Sequence, residues 1–242
     1  MRDKFLGIWP IWDYALKQKS RLRFLVVVCA ILAPTLSAFY FITNRLMSGY
    51  GESVWDFSIP LDHQIPFIAW SVLFYHTLYF VFYPLPLFSV PDSDQGRKEM
   101  LICSQAMFII SLTSCIIFVI LPAEVYTRTV AIESIATNPG WYNPLFEWLW
   151  VIDAPYNSWP SLHVSTAGLL TMFSIRWWKG RPALQWGIGI LWILMGLSIL
   201  TTKQHFLWDL VTSLLLTASV WRWQVQPGLE KLDAKPIDEV TS

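Results

Sequence analysis

Apolar residues in this chain gather in long runs, and polar and charged residues collect in the shorter segments between them. A helix needs about 20 predominantly apolar residues to cross a hydrocarbon core roughly 30 Å thick. Six stretches approach or meet that requirement, at about residues 22–42, 65–89, 100–121, 161–178, 183–201 and 205–223. The fourth and fifth are short and carry polar motifs at their ends. The pattern predicts an all-α, polytopic membrane protein with six transmembrane helices in a single domain spanning 22–225. An N-terminal segment, 1–21, precedes the domain and a polar tail, 226–242, follows it. Trp9, Trp12 and Tyr14 make the N-terminal segment read as amphipathic, lying on the inner membrane surface. A cleaved signal ending near Ser37-Ala38 is the alternative. It is disfavoured because the basic stretch is about twenty residues long and the apolar run is long enough to span.

Composition supports the membrane class: 55% apolar, 16% aromatic and 14% charged residues lie well outside soluble averages. Net charge is zero, but the seventeen basic residues are unevenly placed. Arg2, Lys4, Lys17, Lys19, Arg21 and Arg23 precede the first run, Arg97 and Lys98 lie between the second and third, and Arg176, Lys179 and Arg181 between the fourth and fifth. Arg222, Lys231 and Lys235 close the chain, leaving only Arg45, Arg128 and Lys203 for the other side. The positive-inside rule therefore predicts cytoplasmic termini, with segments 43–64, 122–160 and 202–204 facing outward. Cys29, Cys103 and Cys115 fall inside apolar runs, which suits structural burial better than a disulfide framework. Segment 122–160 is rich in Trp, Pro and Asn, as expected of a loop packed on the outer interface.

Two motifs carry candidate chemistry: Pro160-Ser161-Leu162-His163 and His205-Phe206-Leu207-Trp208-Asp209. Polar groups at membrane depth are costly, so a group of them usually marks a working site. His163 heads the fourth run and His205 the sixth, so both fall at the outer surface. An odd number of crossings between them would have separated them by about 30 Å. Residues four apart share a helix face, so Asp209 can hold one nitrogen of His205 protonated while the other faces a substrate. An imidazole so held can attack phosphorus and form a phosphohistidine. Taken alone, the pattern more often marks a His–Asp pair that merely satisfies two polar groups. Pro160 and Ser161 suit a helix start, where orphan N–H groups and the helix dipole bind anions, and His163 one turn in can protonate a leaving oxygen. The competing reading is an ordinary capped helix start. Lys203 and Arg128 supply positive charge for phosphoryl oxygens, although Arg128 also suits a solvated loop.

These residues resemble the type 2 phosphatidic acid phosphatase superfamily over roughly residues 55–223, through the P-S-x-H and H-x-x-x-D motifs, their order and their spacing. The resemblance implies a phosphatidic acid phosphatase-like helical bundle core and a metal-independent phosphatase or phosphotransferase. It also implies His205 as nucleophile, Asp209 as its orienter, His163 as acid and Ser161 as a phosphate ligand. Departures are present. Ile199 stands where the family usually has arginine, Lys203 where it has glycine, and Leu162 where P-S-G-H is common. Leu121 and Thr129 leave Arg128 as a loose match to the family's first motif. P-S-L-H-V with T-K-Q-H is similar to bacterial relatives of the fungal inositol phosphorylceramide synthases, in which an Asn such as Asn157 commonly precedes P-S-L-H.

The leading expectation is a lipid-phosphate phosphatase at the outer face of a bacterial inner membrane, needing no metal and no other cofactor. Its partners would be a lipid phosphate and the bilayer, with no nucleic acid. A lipid headgroup phosphotransferase and a non-enzymatic lipid transporter or assembly subunit are the alternatives. His76 is read as a histidine bonded across helices, and Asp62 and His63 as a cap on the second run.

Overall fold

The computed structural model describes residues 7–50, 56–156 and 158–234. Asn157 and the tail from 235 lie outside the described residues. Among the described residues the architecture is helical without strands. The principal helices are α1 (Arg21–Tyr50), α2 (Val72–Thr77), α3 (Asp94–Ile120), α4 (Arg128–Thr137), α5 (Asn143–Ile152), α6 (Leu162–Trp177), α7 (Pro182–Thr201), α8 (Leu207–Val220) and α9 (Gln226–Asp233). α6 is central, packed against α3, α7 and α8, while α1 lies along α3 and α2 along α7.

Among the described residues, three helices are long and apolar enough to cross a membrane: Arg21–Gly49, Asp94–Ile120 and Pro182–Thr201. The other predicted spans take different forms. Segment 65–89 is not one helix but a 3-10 turn, α2, a π-helical turn at Leu78–Phe82, and a short helix at Pro86–Ser89. Pro84 and Pro86 lack the N–H groups a continuous helix would need there. α6 and α8 have 16 and 14 residues, about 24 and 21 Å of rise. α8 runs on through a π-helical turn at Trp221–Val225 into α9.

Local chemistry explains several boundaries. Ser93 caps α3 by accepting the Gly96 N–H at 3.0 Å. Gly180, with φ of +82°, makes the turn between α6 and α7, and Pro182 opens α7. α6 and α7 meet closely at Gly168, where a Cβ would lie 3.0 Å from the Trp192 ring, whose Nε1 donates to the Val164 carbonyl. Hydroxyl side chains join α8 to α6: Ser213 donates to the Ser161 carbonyl at 3.0 Å and Thr217 to that of Ser165 at 3.4 Å. Small polar residues of this kind let membrane helices approach and bond across their interface.

The end of the bundle away from the two motifs is tied by basic residues. Glu99, buried in α3, accepts Arg176 at 2.8 Å and the Trp177 indole at 2.8 Å. Arg97 donates to the carbonyls of Gln18 and Lys19, and Arg21 to those of Leu87 and Val90. The N-terminal segment is two-faced: Tyr14 is exposed while Trp12 and Ala15 are buried. Its buried face meets the bundle's own core, and Gln105 of α3 bonds the backbone at Gly7 and Trp9.

Candidate active site

The Thr202–Phe206 turn between α7 and α8 and the segment leading into α6 meet at one end of the bundle. Ser161 is the N-cap residue of α6, with Pro160 just before the cap instead of inside the first turn. Its N–H reaches the Asp209 carbonyl at 3.5 Å, which sets the starts of α6 and α8 side by side. Asp209 is fully buried, and its Oδ2 accepts the Phe206 N–H at 2.9 Å and lies 3.1 Å from His205 Nδ1. The Ser158 carbonyl also lies 3.1 Å from Nδ1. A nitrogen faced by two acceptors carries a proton, so in the neutral ring of His205 the lone pair is on Nε2. That lone pair accepts the Ser161 hydroxyl at 3.3 Å.

His163 stands one turn along the same wall, with its ring centroid 6.0 Å from that of His205. Its Nε2 lies 3.3 Å from the Tyr79 hydroxyl, and the Tyr75 ring packs on it at 4.3 Å. Both imidazoles are nearly closed to solvent, at 7% and 6% exposure, and both line a cavity of about 390 Å³. Ser161, His163, His205 and Asp209 are therefore brought together, as their spacing predicts.

The two cations are placed differently. Arg128 is buried and donates to the Asp153 carbonyl at 2.6 Å and its carboxylate at 3.4 Å. Its Nε is a buried donor with no partner among the described residues. Asp153 also accepts the Tyr40 hydroxyl and lines the same cavity as the histidines. Arg128 thus stands behind the wall, one residue removed. Lys203 adopts a left-handed conformation, φ +58°, and its ammonium donates to the carbonyls of Asp62 at 2.9 Å and Ile65 at 2.5 Å. Burial lowers its pKa below the usual lysine value, and the Asp62 carboxylate opposes that shift. Neither cation lines the cavity.

Three features were not anticipated from sequence. Asp153 and Tyr40 form one, and only their positions at the ends of apolar runs hinted at them. Tyr79, inside the second run, carried no signal. Asp62, read as a cap on its own segment, caps two: Oδ2 accepts the Ile59 N–H at 2.8 Å and Oδ1 the Leu207 N–H at 2.7 Å. It therefore helps set the start of α8, next to His205. His76 bonds the Val72 carbonyl of its own helix through Nδ1 at 2.9 Å, and its ring packs across to Trp148 of α5 at 5.2 Å. Among the described residues, no three His, Cys, Asp or Glu side chains are grouped as a metal ion would require.

A family model described as the PAP2 superfamily matches residues 53–223. The chain belongs to the PAP2 superfamily. No curated protein and no solved structure matches it significantly. PAP2 members are typically phosphoesterases or phosphotransferases. The matched PAP2 segment contains every side chain named at this site except Tyr40, which is contributed by α1.

Proposed function

We propose that this PAP2 protein is a metal-independent lipid-phosphate phosphatase working through a phosphohistidine. One observation carries the reading: His205 has both orienting acceptors on Nδ1, which leaves Nε2 as the nucleophilic nitrogen of the neutral ring, 3.3 Å from the Ser161 hydroxyl. Nε2 attacks the phosphorus of the ester, an N–P bond forms, and the bond to the lipid oxygen breaks. His163 gives the leaving oxygen its proton. Water then attacks the phosphohistidine, His163 takes a proton from it, and inorganic phosphate leaves as Nε2 is freed. Ser161 turns its hydroxyl from Nε2 to a phosphoryl oxygen, beside the first-turn N–H groups of α6. Asp209 stabilises the positive charge that develops on the ring. Arg128, fixed by Asp153, adds positive potential across the wall, and Lys203 adds it from the turn before the nucleophile. Asn157, which lies outside the described residues, is a further candidate phosphate ligand through the resemblance of its motif alone.

In this reading six segments cross the membrane, with the shorter α2, α6 and α8 segments packed inside the bundle. Both termini are cytoplasmic and the site faces outward in a bacterial inner membrane. The support is the division of charge: Arg21, Arg97 and Arg176 are tied together at the end away from the histidines.

A second reading, a headgroup phosphotransferase related to the inositol phosphorylceramide synthase branch, keeps the same nucleophile and acid. Burial of both histidines favours it, because a site closed to bulk water favours an alcohol acceptor over hydrolysis. One experiment separates the readings. Purified protein in detergent with EDTA is given headgroup-labelled lipid phosphates, with and without alcohol acceptors, beside a His205→Ala control. Histidine-dependent release of phosphate supports the phosphatase, and labelled acceptor with little phosphate supports the transferase. Turnover unaffected by His205→Ala refutes both, and no turnover with any lipid points to binding or transport.

A further inference from the structure

The cavity at the two histidines extends well beyond the space a phosphate needs. From His205 and His163 it continues between α1, α3 and α6 to Leu170, Met100 and Val28. Along α1 its lining runs from Val28 to Phe41, thirteen helical steps or about 20 Å of rise. That is some two-thirds of a hydrocarbon core of roughly 30 Å. Away from the polar groups at the histidine end, the walls are largely aliphatic, with Leu32 and Leu36 facing Met107 and Leu170.

The cavity also opens sideways. Cys29, Ala33 and Ser37 line it and are exposed, while Val28 and Leu32 on the same helix are buried. Their spacing of four places them in one row along α1. Small side chains in that row leave a slot between α1 and the bundle, facing the surface that the apolar exterior assigns to lipid.

We infer that this slot admits one hydrocarbon chain of the lipid whose phosphate reaches His205, and that α1 is the specificity wall of the enzyme. The inference rests on the lipid-phosphate reading above. A volume of 390 Å³ holds about a dozen groups of water or methylene size, which leaves room beside the phosphate for much of one chain and not for two. Lipid tails are as apolar as leucine, so moving a chain from bilayer to cavity changes free energy little. What the cavity supplies is registration, holding the phosphorus in line with Nε2. α1 lies outside the residues matched to the PAP2 model, so this wall is an addition to the family segment.

The test uses full-length His205→Ala protein in bilayer nanodiscs, loaded with a phosphatidic acid carrying a diazirine at the end of one acyl chain. Photolabelling requires no turnover, so its outcome is separate from that of the phosphatase assay. Labelling is expected on Leu36, Met107 and Leu170, competed by unlabelled phosphatidic acid and not by diacylglycerol. Ala33→Trp in the same background is expected to abolish that interior labelling. Val26→Trp, on an exposed part of α1 away from the cavity, is expected to leave it intact and controls for misfolding. Label confined to lipid-facing residues such as Ile190 and Leu215 would overturn the inference, as would interior labelling that diacylglycerol competes equally or that survives Ala33→Trp.

Discussion

Asp209→Asn tests the chemistry most directly, because the structure fixes both what the change removes and what it leaves. Asparagine keeps an oxygen where Oδ2 accepts the His205 Nδ1–H and the Phe206 N–H, so the start of α8 should hold. The carboxylate's charge is lost. A hydrogen bond to a charged group contributes about 1.5–3 kcal/mol and a neutral one about 0.5–1.5, a difference of about 1–2 kcal/mol. The Coulombic attraction between a positive ring and a carboxylate at about 4 Å, which already includes that difference, sets an upper bound of about 4 kcal/mol at an effective dielectric near 20. The expected loss is thus about 2–4 kcal/mol in the transition state, or about 30- to 1000-fold in kcat. Where an asparagine allows the wrong tautomer in a serine protease triad, the loss is about 10⁴-fold. Here the Ser158 carbonyl still holds the Nδ1 proton, which is why the smaller figure applies. The assay is steady-state release of phosphate from labelled phosphatidic acid in mixed micelles, with thermal unfolding as the folding control. A fall in kcat of less than about tenfold, or an effect confined to KM, would refute the assigned role, since a group acting only in the transition state must appear in kcat.

Three further outcomes follow from the contacts around the site. Asp62→Ala removes the acceptor for the Ile59 and Leu207 N–H groups and should cost about 1–2 kcal/mol of stability, read as a lower Tm in detergent, together with a lower kcat as the start of α8 shifts; an unchanged Tm would contradict this. Glu99→Ala, at the far end, strands the Trp177 indole and half of the Arg176 pairing and should cost about 1–3 kcal/mol while leaving kcat unchanged; a large fall in kcat with Tm intact would oppose the separation of the two ends. Lys203 has a folded-state pKa lowered by burial, so between that value and the ordinary 10.5 the unfolded chain holds more protons than the folded one. Its contribution to stability therefore rises with pH across that alkaline window. Tm of the wild type relative to Lys203→Met should climb there, and parallel curves would count against it.

What was legible in the sequence is what short-range geometry carries. His205 and Asp209 are four apart, so one helical turn fixes their meeting, and the two motifs head apolar runs whose starts lie at the same end of the bundle, which sets Ser161 and His163 beside His205. Hydropathy located the second run but did not show that it breaks into a π-helical turn at Leu78–Phe82, because a run of apolar residues reads alike in a straight helix and an interrupted one. Lys203 stands two residues before His205 along the chain. Its positive φ and two carbonyl acceptors direct the ammonium to the 62–65 segment, and neither is encoded by distance from the histidine.

Tyr40 and Asp153 meet across 113 positions, and no local pattern forecasts such a pair. That contact ties a helix outside the family segment to a residue that lines the histidine cavity. Asp153 is held on one side by α1 and on the other holds Arg128, so the apolar wall and the cation behind the site share a single carboxylate. Asn44, one turn further along α1, bonds both the N–H and the carbonyl of Ala154, fixing the same stretch of backbone. On the proposed reading, a shift of α1 that widened the slot for a lipid chain would therefore also bear on the carboxylate that positions Arg128, and would couple recognition of the chain to electrostatics at the phosphate.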